Sequence, residues 1–167
     1  MKSAIAIRGY ESGDRDRCRA LWKELTDRHR EIYHDPGIGG EHPEDFFDKH
    51  LAQVGSGQLW VAVSGSTVIG LVGLIFKEKE AQIEPLIVAK SSRGRGVGKQ
   101  LIEKAISEAK SKGVSLLTVS PVARNVEAVR LFYKMGFHNL GFLEMFIDFS
   151  GRSWKLGPNV LGCKFNY

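Results

Sequence analysis

Apolar and polar residues alternate around Ile5 and Ile7, which predicts a short first strand, and Ser12-Gly13-Asp14 then interrupts the pattern with residues suited to a helix start. Cys18, Leu21, Trp22, Leu25 and Ile32 recur at helical spacing, so one apolar stripe runs along a helix over 14–34. Asp35-Pro36-Gly37-Ile38-Gly39-Gly40 ends it. The Pro and three glycines predict a mobile connection, a lid or substrate loop, before a second helix near 43–54. Leu59–Val63 and Val68–Phe76 flank Ser64-Gly65-Ser66-Thr67, the composition of a hairpin. Ala81–Ala89 is another apolar strand, interrupted by Pro85, which cannot donate to a ladder; a bulge or a splayed neighbour is expected there.

Further on, Leu101, Ile102, Ala105, Ile106 and Ala109 mark a helix over 97–112 with Lys112-Gly113 as its stop. Strands are predicted at 116–119, 142–149 and near 160–166, with a helix over 125–135 closed by Gly136. No internal repeat or low-complexity linker divides the chain, so the pattern predicts a single α/β domain over 1–167.

Composition narrows the function classes. A length of 167 residues suits one domain at about 100–200 residues each, and 43% hydrophobic with 26% charged residues fits neither a disordered chain nor a membrane protein. The longest apolar-plus-Gly run, Val68 to Phe76, is far below the roughly 20 residues of a membrane span. Ala4–Ile7 is too short for a signal-peptide core, so a cytoplasmic location without membrane contact is expected. Cys18 and Cys163 are expected as reduced thiols, Cys163 buried in a strand. The net charge of +5 is uneven: −2 over 1–76, +6 over 77–134 and +1 over 135–167. The basic middle suits phosphates. Glu31 to Asp48 holds six carboxylates and no Lys or Arg, which suits a cationic ligand. His29, His34, His42, His50 and His138 lack metal-ligand spacing, and no metal site is expected.

The most specific feature is Arg93-Gly94-Arg95-Gly96-Val97-Gly98-Lys99 between a strand and an amphipathic helix. Alternating glycines permit a tight turn and close approach, and the first amides of a helix, its dipole and three basic side chains all favour a phosphate. A P-loop needs Gly at position 93 and Ser or Thr at position 100, which hold Arg93 and Gln100; a dinucleotide fingerprint needs Gly where Lys99 stands. Arg93-x-x-Gly96-x-Gly98 instead resembles the pyrophosphate loop of the GNAT superfamily of acetyl-CoA-dependent N-acetyltransferases. Ile83-Glu84-Pro85-Leu86-Ile87-Val88 resembles the family's fourth strand, and Asn125 to Phe137 its later helix ending in Gly-Phe.

The resemblance covers roughly Val68 to Phe149 and implies a mixed, mainly antiparallel central sheet of about six to seven strands flanked by helices, an α/β (α+β) fold. It implies acetyl-CoA as cosubstrate, with the main chain of Leu86, Ile87 and Val88 pairing with the pantetheine arm. The resemblance also implies that Arg93, Gly94, Arg95, Gly96, Val97, Gly98 and Lys99 would hold the pyrophosphate, that Asn125 and Phe132 would contact the cofactor, and that Arg124 would reach its outer phosphate. An amine of pKa about 10.4 arrives protonated, so a base is needed; the resemblance places Glu84 in that role, directly or through water. The family's usual Tyr, seven residues after the Asn, is Phe132 here. Either Tyr133 is the general acid, or the thiolate leaves with help from water. The implied acceptor is the primary amine of a cationic small molecule or peptide, attacked in a ternary complex, and family analogy implies a homodimer. The alternatives are a CoA-binding regulatory protein without catalysis and a nucleic-acid-binding module, the latter disfavoured because no aromatic-basic motif accompanies the basic segment.

Overall fold

The computed structural model describes residues 4–167, which fall into two compact units, one running to Ser120 and the other spanning Pro121–Tyr167. In the first, β1 (Ile5–Gly9), β2 (Leu59–Ser64), β3 (Thr67–Lys77), β4 (Glu80–Val88) and β5 (Leu116–Thr118) form one sheet in that order. The first three pairings are antiparallel, and β4 with β5 is parallel. The central sheet therefore has five strands rather than six to seven. The last two, β6 (Leu156–Val160) and β7 (Cys163–Asn166), pair only with each other, as an antiparallel hairpin in the second unit.

Strand alternation sends side chains to two faces, and helices cover both. Leu59, Val61, Val63, Leu71 and Ile87 pack against Cys18 and Leu21 of α1 (Arg15–Tyr33) and Phe47 and Val54 of α2 (Asp45–Val54). Each such large side chain withdrawn from water contributes about 1.5–3 kcal/mol. The intervening positions face α3 (Val97–Ser111), where Lys104 lies over the Trp60 ring at 5.8 Å. A Cβ on Gly70 would stand 2.9 Å from Leu101 Cδ1 and 3.0 Å from the Ile87 carbonyl oxygen, so the absence of a side chain lets α3 sit close on the sheet. Val97, Leu101, Ile102, Ala105 and Ala109 are buried and fix that contact.

Three expectations need correction. The connection after α1 is clamped rather than mobile: Arg30 donates to the carbonyls of Ile38 at 2.8 Å and Gly40 at 2.5 Å while pairing with Asp27 at 3.0 Å. Gly39, at φ 76°, lies so close to Thr26 that a Cβ would collide with its methyl at 2.6 Å and crowd Pro43 at 3.2 Å. Residues 142–149 form no strand. Asp148 turns back locally, accepting from the Ser150 amide and Trp154 Nε1 at 2.8 Å each, and Phe146 packs on Trp154 with ring centres 5.1 Å apart. Cys163 is in a strand but exposed, because it borders the Leu161-Gly162 turn of the hairpin, whereas burial pushes the Cys18 thiol up to about 12. Among the described residues no helix is long and apolar enough to cross a membrane.

Candidate functional site

The interruption in β4 is where the site begins. β5 pairs with β4 only at Glu80, Ala81 and Gln82, so from Ile83 to Val88 that edge of β4 has no strand paired to it among the described residues, while the other edge stays on β3. Register slips on the β3 side too. Val72 faces Leu86 and Leu74 faces Ile83, leaving Gly73 opposite both Glu84 and Pro85. Pro85 is thus the visible half of a two-residue irregularity whose other half is Gly73. An edge of free amides and carbonyls is a template for an extended ligand.

β4 runs directly into the glycine loop. Arg93 is extended and its Nε donates to the Val88 carbonyl at 3.3 Å, tying loop to strand. Gly94 and Gly96 adopt φ of 72° and 81° with open space around both, so backbone conformation rather than crowding requires glycine. Gly98 departs from the expected turn role: it lies inside the first turn of α3 in helical conformation. Gly96 caps α3 without a side-chain bond, and the first helical bond runs from Gln100 to the Gly96 carbonyl. The amides of Gly94 through Lys99 have no partner among the described residues. They surround the positive end of a 15-residue helix. Arg93 and Lys99 are exposed and Arg95 half-buried; Lys99 Nζ lies 3.6 Å from Glu103.

Glu84 is exposed where the strands separate and accepts from Gln82 Nε2 at 3.2 Å. On α2, His50 is buried beside the same stretch, and burial holds its imidazole below the ordinary histidine value. Sequence reading weighed His50 only as a metal ligand and overlooked Gly70 and Gly73. The signals were present: an isolated glycine inside a strand pattern marks a close approach, and Phe47, His50 and Val54 share helical spacing.

The remaining candidates belong to the second unit. Asn125 is the N-cap of α4 (Val126–Lys134), its Oδ1 accepting from the Ala128 amide at 3.3 Å, which leaves its NH2 as the group able to meet a ligand. Phe132 is 5% exposed and packs edge-on against Phe137, ring centres 5.4 Å apart. Tyr133, one step round the helix, is 62% exposed with its ring 4.6 Å from that of His138. Arg124 lies over Trp154 at 5.4 Å and Tyr167 at 6.0 Å.

The acidic segment is less available than its composition implies. Asp45 pairs with Arg19 at 2.6 Å, Asp48 with Arg15 at 2.8 Å and also with Arg19, and Glu31 lies 3.4 Å from Arg28. Asp35 accepts from the Gly37 amide at 2.9 Å. Glu41 is exposed. Glu44 is half-buried with one carboxylate oxygen unpartnered and the other 3.6 Å from His42. Among the described residues no group of three or more His, Cys, Asp or Glu is placed to hold a metal ion.

A sheet opened beside a strand that feeds a helix start with open amides is an arrangement able to accept an extended, phosphate-bearing ligand. Comparison with known proteins gives the family: the acetyltransferase (GNAT) family model matches residues 20–137, and the chain belongs to that family. N-acetyltransferase 8 of Rattus norvegicus is 32% identical over 110 residues, covering 62% of this chain and 48% of the rat protein. The chain spans about half the length of the curated relatives it matches. A GNAT-family acetyltransferase from Staphylococcus aureus superposes with a TM-score of 0.68 at 18% identity, covering 83% of this chain and 87% of that one. An aminoglycoside N-acetyltransferase solved in complex with CoA gives 0.65 at 18% identity over 89% and 97%. Those likenesses establish the shared fold.

Proposed function

We propose that the chain is an N-acetyltransferase that moves an acetyl group from acetyl-CoA to a primary amine of a cationic acceptor, and that 1–167 works as one domain. The family match running from 20 to 137 passes across the boundary between the two units, which supports the single domain. The observation that carries the activity is the continuity of the unpaired β4 edge with the unpartnered amides of Gly94–Lys99. On this reading the main chain of Leu86, Ile87 and Val88 pairs with the pantetheine amides, and the loop amides with Arg93, Arg95 and Lys99 hold the pyrophosphate. Asn125 donates its NH2 to a carbonyl of the same arm, and Phe132 supports α4 from its buried side.

The amine gives a proton to Glu84, directly or through one water, and its lone pair attacks the thioester carbonyl. The C–N bond forms and the C–S bond breaks; the departing thiolate takes a proton from Tyr133 or from water, and the proton shed by the acylated nitrogen returns to that group. Glu41 and Glu44, two carboxylates of the acidic segment with no Arg or Lys pair among the described residues, attract the acceptor. A cytoplasmic homodimer completes the reading by family analogy.

Isothermal calorimetry with CoA tests the cofactor assignment. Binding that weakens when Arg93 and Arg95 are both replaced by Ala is expected, and absence of heat with folded protein overturns it. Thiol release from acetyl-CoA with a linear polyamine, an amino sugar and a lysine peptide then tests turnover. Glu84→Gln is expected to slow it about 10²-fold or more at neutral pH. A second reading, a CoA-binding protein without turnover, draws on Phe132 filling the usual Tyr place; binding without thiol release favours it.

A further inference from the structure

α2 lays Phe47, His50 and Val54 along one face, and Phe47 and Val54 belong to the core that includes Leu59 and Ile87. His50 lies between them, 6% exposed, with its ring 5.4 Å from that of Trp22 on α1. Its Nε2 is closed off from solvent and makes no hydrogen bond of normal geometry. Leaving a buried nitrogen unpaired costs about 1–3 kcal/mol. The polar group within loose reach of the ring is the main-chain carbonyl of Glu84.

The sheet singles out that same carbonyl. Glu84 and Pro85 share Gly73 as their only opposite residue on β3. A Cβ on Gly73 would stand 2.5 Å from the Glu84 carbonyl oxygen and 2.7 Å from Leu59 Cδ2. Leu59 packs in the cluster of Phe47 and Val54, so the irregularity turns the Glu84 carbonyl toward the face that α2 covers. Among the described residues, the one α2 side chain with an unpaired buried nitrogen, His50, lies on that same face.

We infer that His50 is a positioning residue for Glu84: an imidazole N–H closes on the Glu84 carbonyl at the irregularity and fixes the main chain from which the carboxylate projects. The inference rests on Glu84 being the base. His50 itself touches neither amine nor thioester. Its contribution is to keep the carboxylate within proton-transfer distance, where a displacement of about 1 Å can cost about 10²-fold in rate.

The test compares His50→Phe, which fills the volume without a donor, with His50→Gln, which keeps a neutral amide at similar reach, and with Glu84→Gln. Thiol release is followed with acetyl-CoA and a linear polyamine or lysine peptide. His50→Phe is expected to lower kcat by about tenfold to a hundredfold with the acetyl-CoA KM within about twofold, and His50→Gln to recover most of the loss. Imidazole 15N spectra of the unmodified protein near pH 7 are expected to show a neutral His50 ring protonated at Nε2, a readout that needs neither an acceptor nor a folded variant. Wild-type kcat in His50→Phe, equal losses in both His50 variants, or a ring protonated only at Nδ1 overturns the inference while leaving a slow Glu84→Gln enzyme intact. Wild-type turnover in Glu84→Gln removes the base assignment and this inference with it.

Discussion

Replacing Gly73 with Ala tests how far the separation of the strands depends on one missing methyl. The new Cβ would lie 2.5 Å from the Glu84 carbonyl oxygen, 2.7 Å from Leu59 Cδ2 and 3.2 Å from Pro85 Cδ. Relief requires the oxygen to retreat by roughly 0.5–1 Å, and neither main chain nor a buried leucine yields easily. Overpacking of this kind costs about 1–3 kcal/mol. For a chain of this length, where about 1 kcal/mol moves the midpoint by about 2–4 °C, the melting temperature is expected to fall by roughly 2–12 °C. The same shift displaces Glu84, so turnover should drop by about 10–100-fold. CoA affinity from calorimetry should change much less, because the loop lies beyond the irregularity. Gly65→Ala is the control: φ is 63° with nothing within 4 Å, so it strains the hairpin turn without pushing on a neighbour. Wild-type melting and turnover in Gly73→Ala, or an equal loss of turnover in Gly65→Ala, would refute the reasoning.

Two further outcomes follow from electrostatics. Burial holds His29 and His50 below their ordinary 6.5, so the unfolded chain takes up protons first as pH falls; stability is full above about pH 6.5 and lost progressively below it toward the folded values. Urea midpoints should decline from about pH 7.5 to about pH 5.5, less steeply in His50→Gln, and a flat series contradicts this. Replacing Asp45 and Asp48 by Asn should lower the melting temperature by releasing Arg15 and Arg19, with the acceptor KM within about twofold. Glu41→Gln with Glu44→Gln should raise that KM several-fold, and the opposite pattern would return the acceptor site to the aspartates.

Features carried by local chemistry were legible in the chain. Pro85 announced the irregular strand, alternating glycines announced the turn into a helix start, and apolar spacing placed α1 and α3 within a residue or two of their ends. What escaped notice depends on partners distant in sequence. Asp48 reads as free charge until Arg15, 33 residues earlier, is seen to hold it. Gly70 and Gly73 look like flexible positions until the Leu101 side chain and the Glu84 carbonyl arrive beside them. Residues 142–149 have the apolar content of a strand, but a strand exists only where a neighbour supplies the ladder, and Asp148 binds its own segment instead.

On the proposed reading, the free edge of β4 would offer peptide groups to the pantetheine arm, and these are the same whatever side chains accompany them. Exchange of Ile87 among aliphatics, or of Leu86 and Val88 more broadly, would leave the handle in place, so descendants of this sequence can drift at these positions without losing their grip. Proline is the exception, since it alone deletes an amide. The strand already carries one at position 85, and a second a step or two later would cut the handle itself.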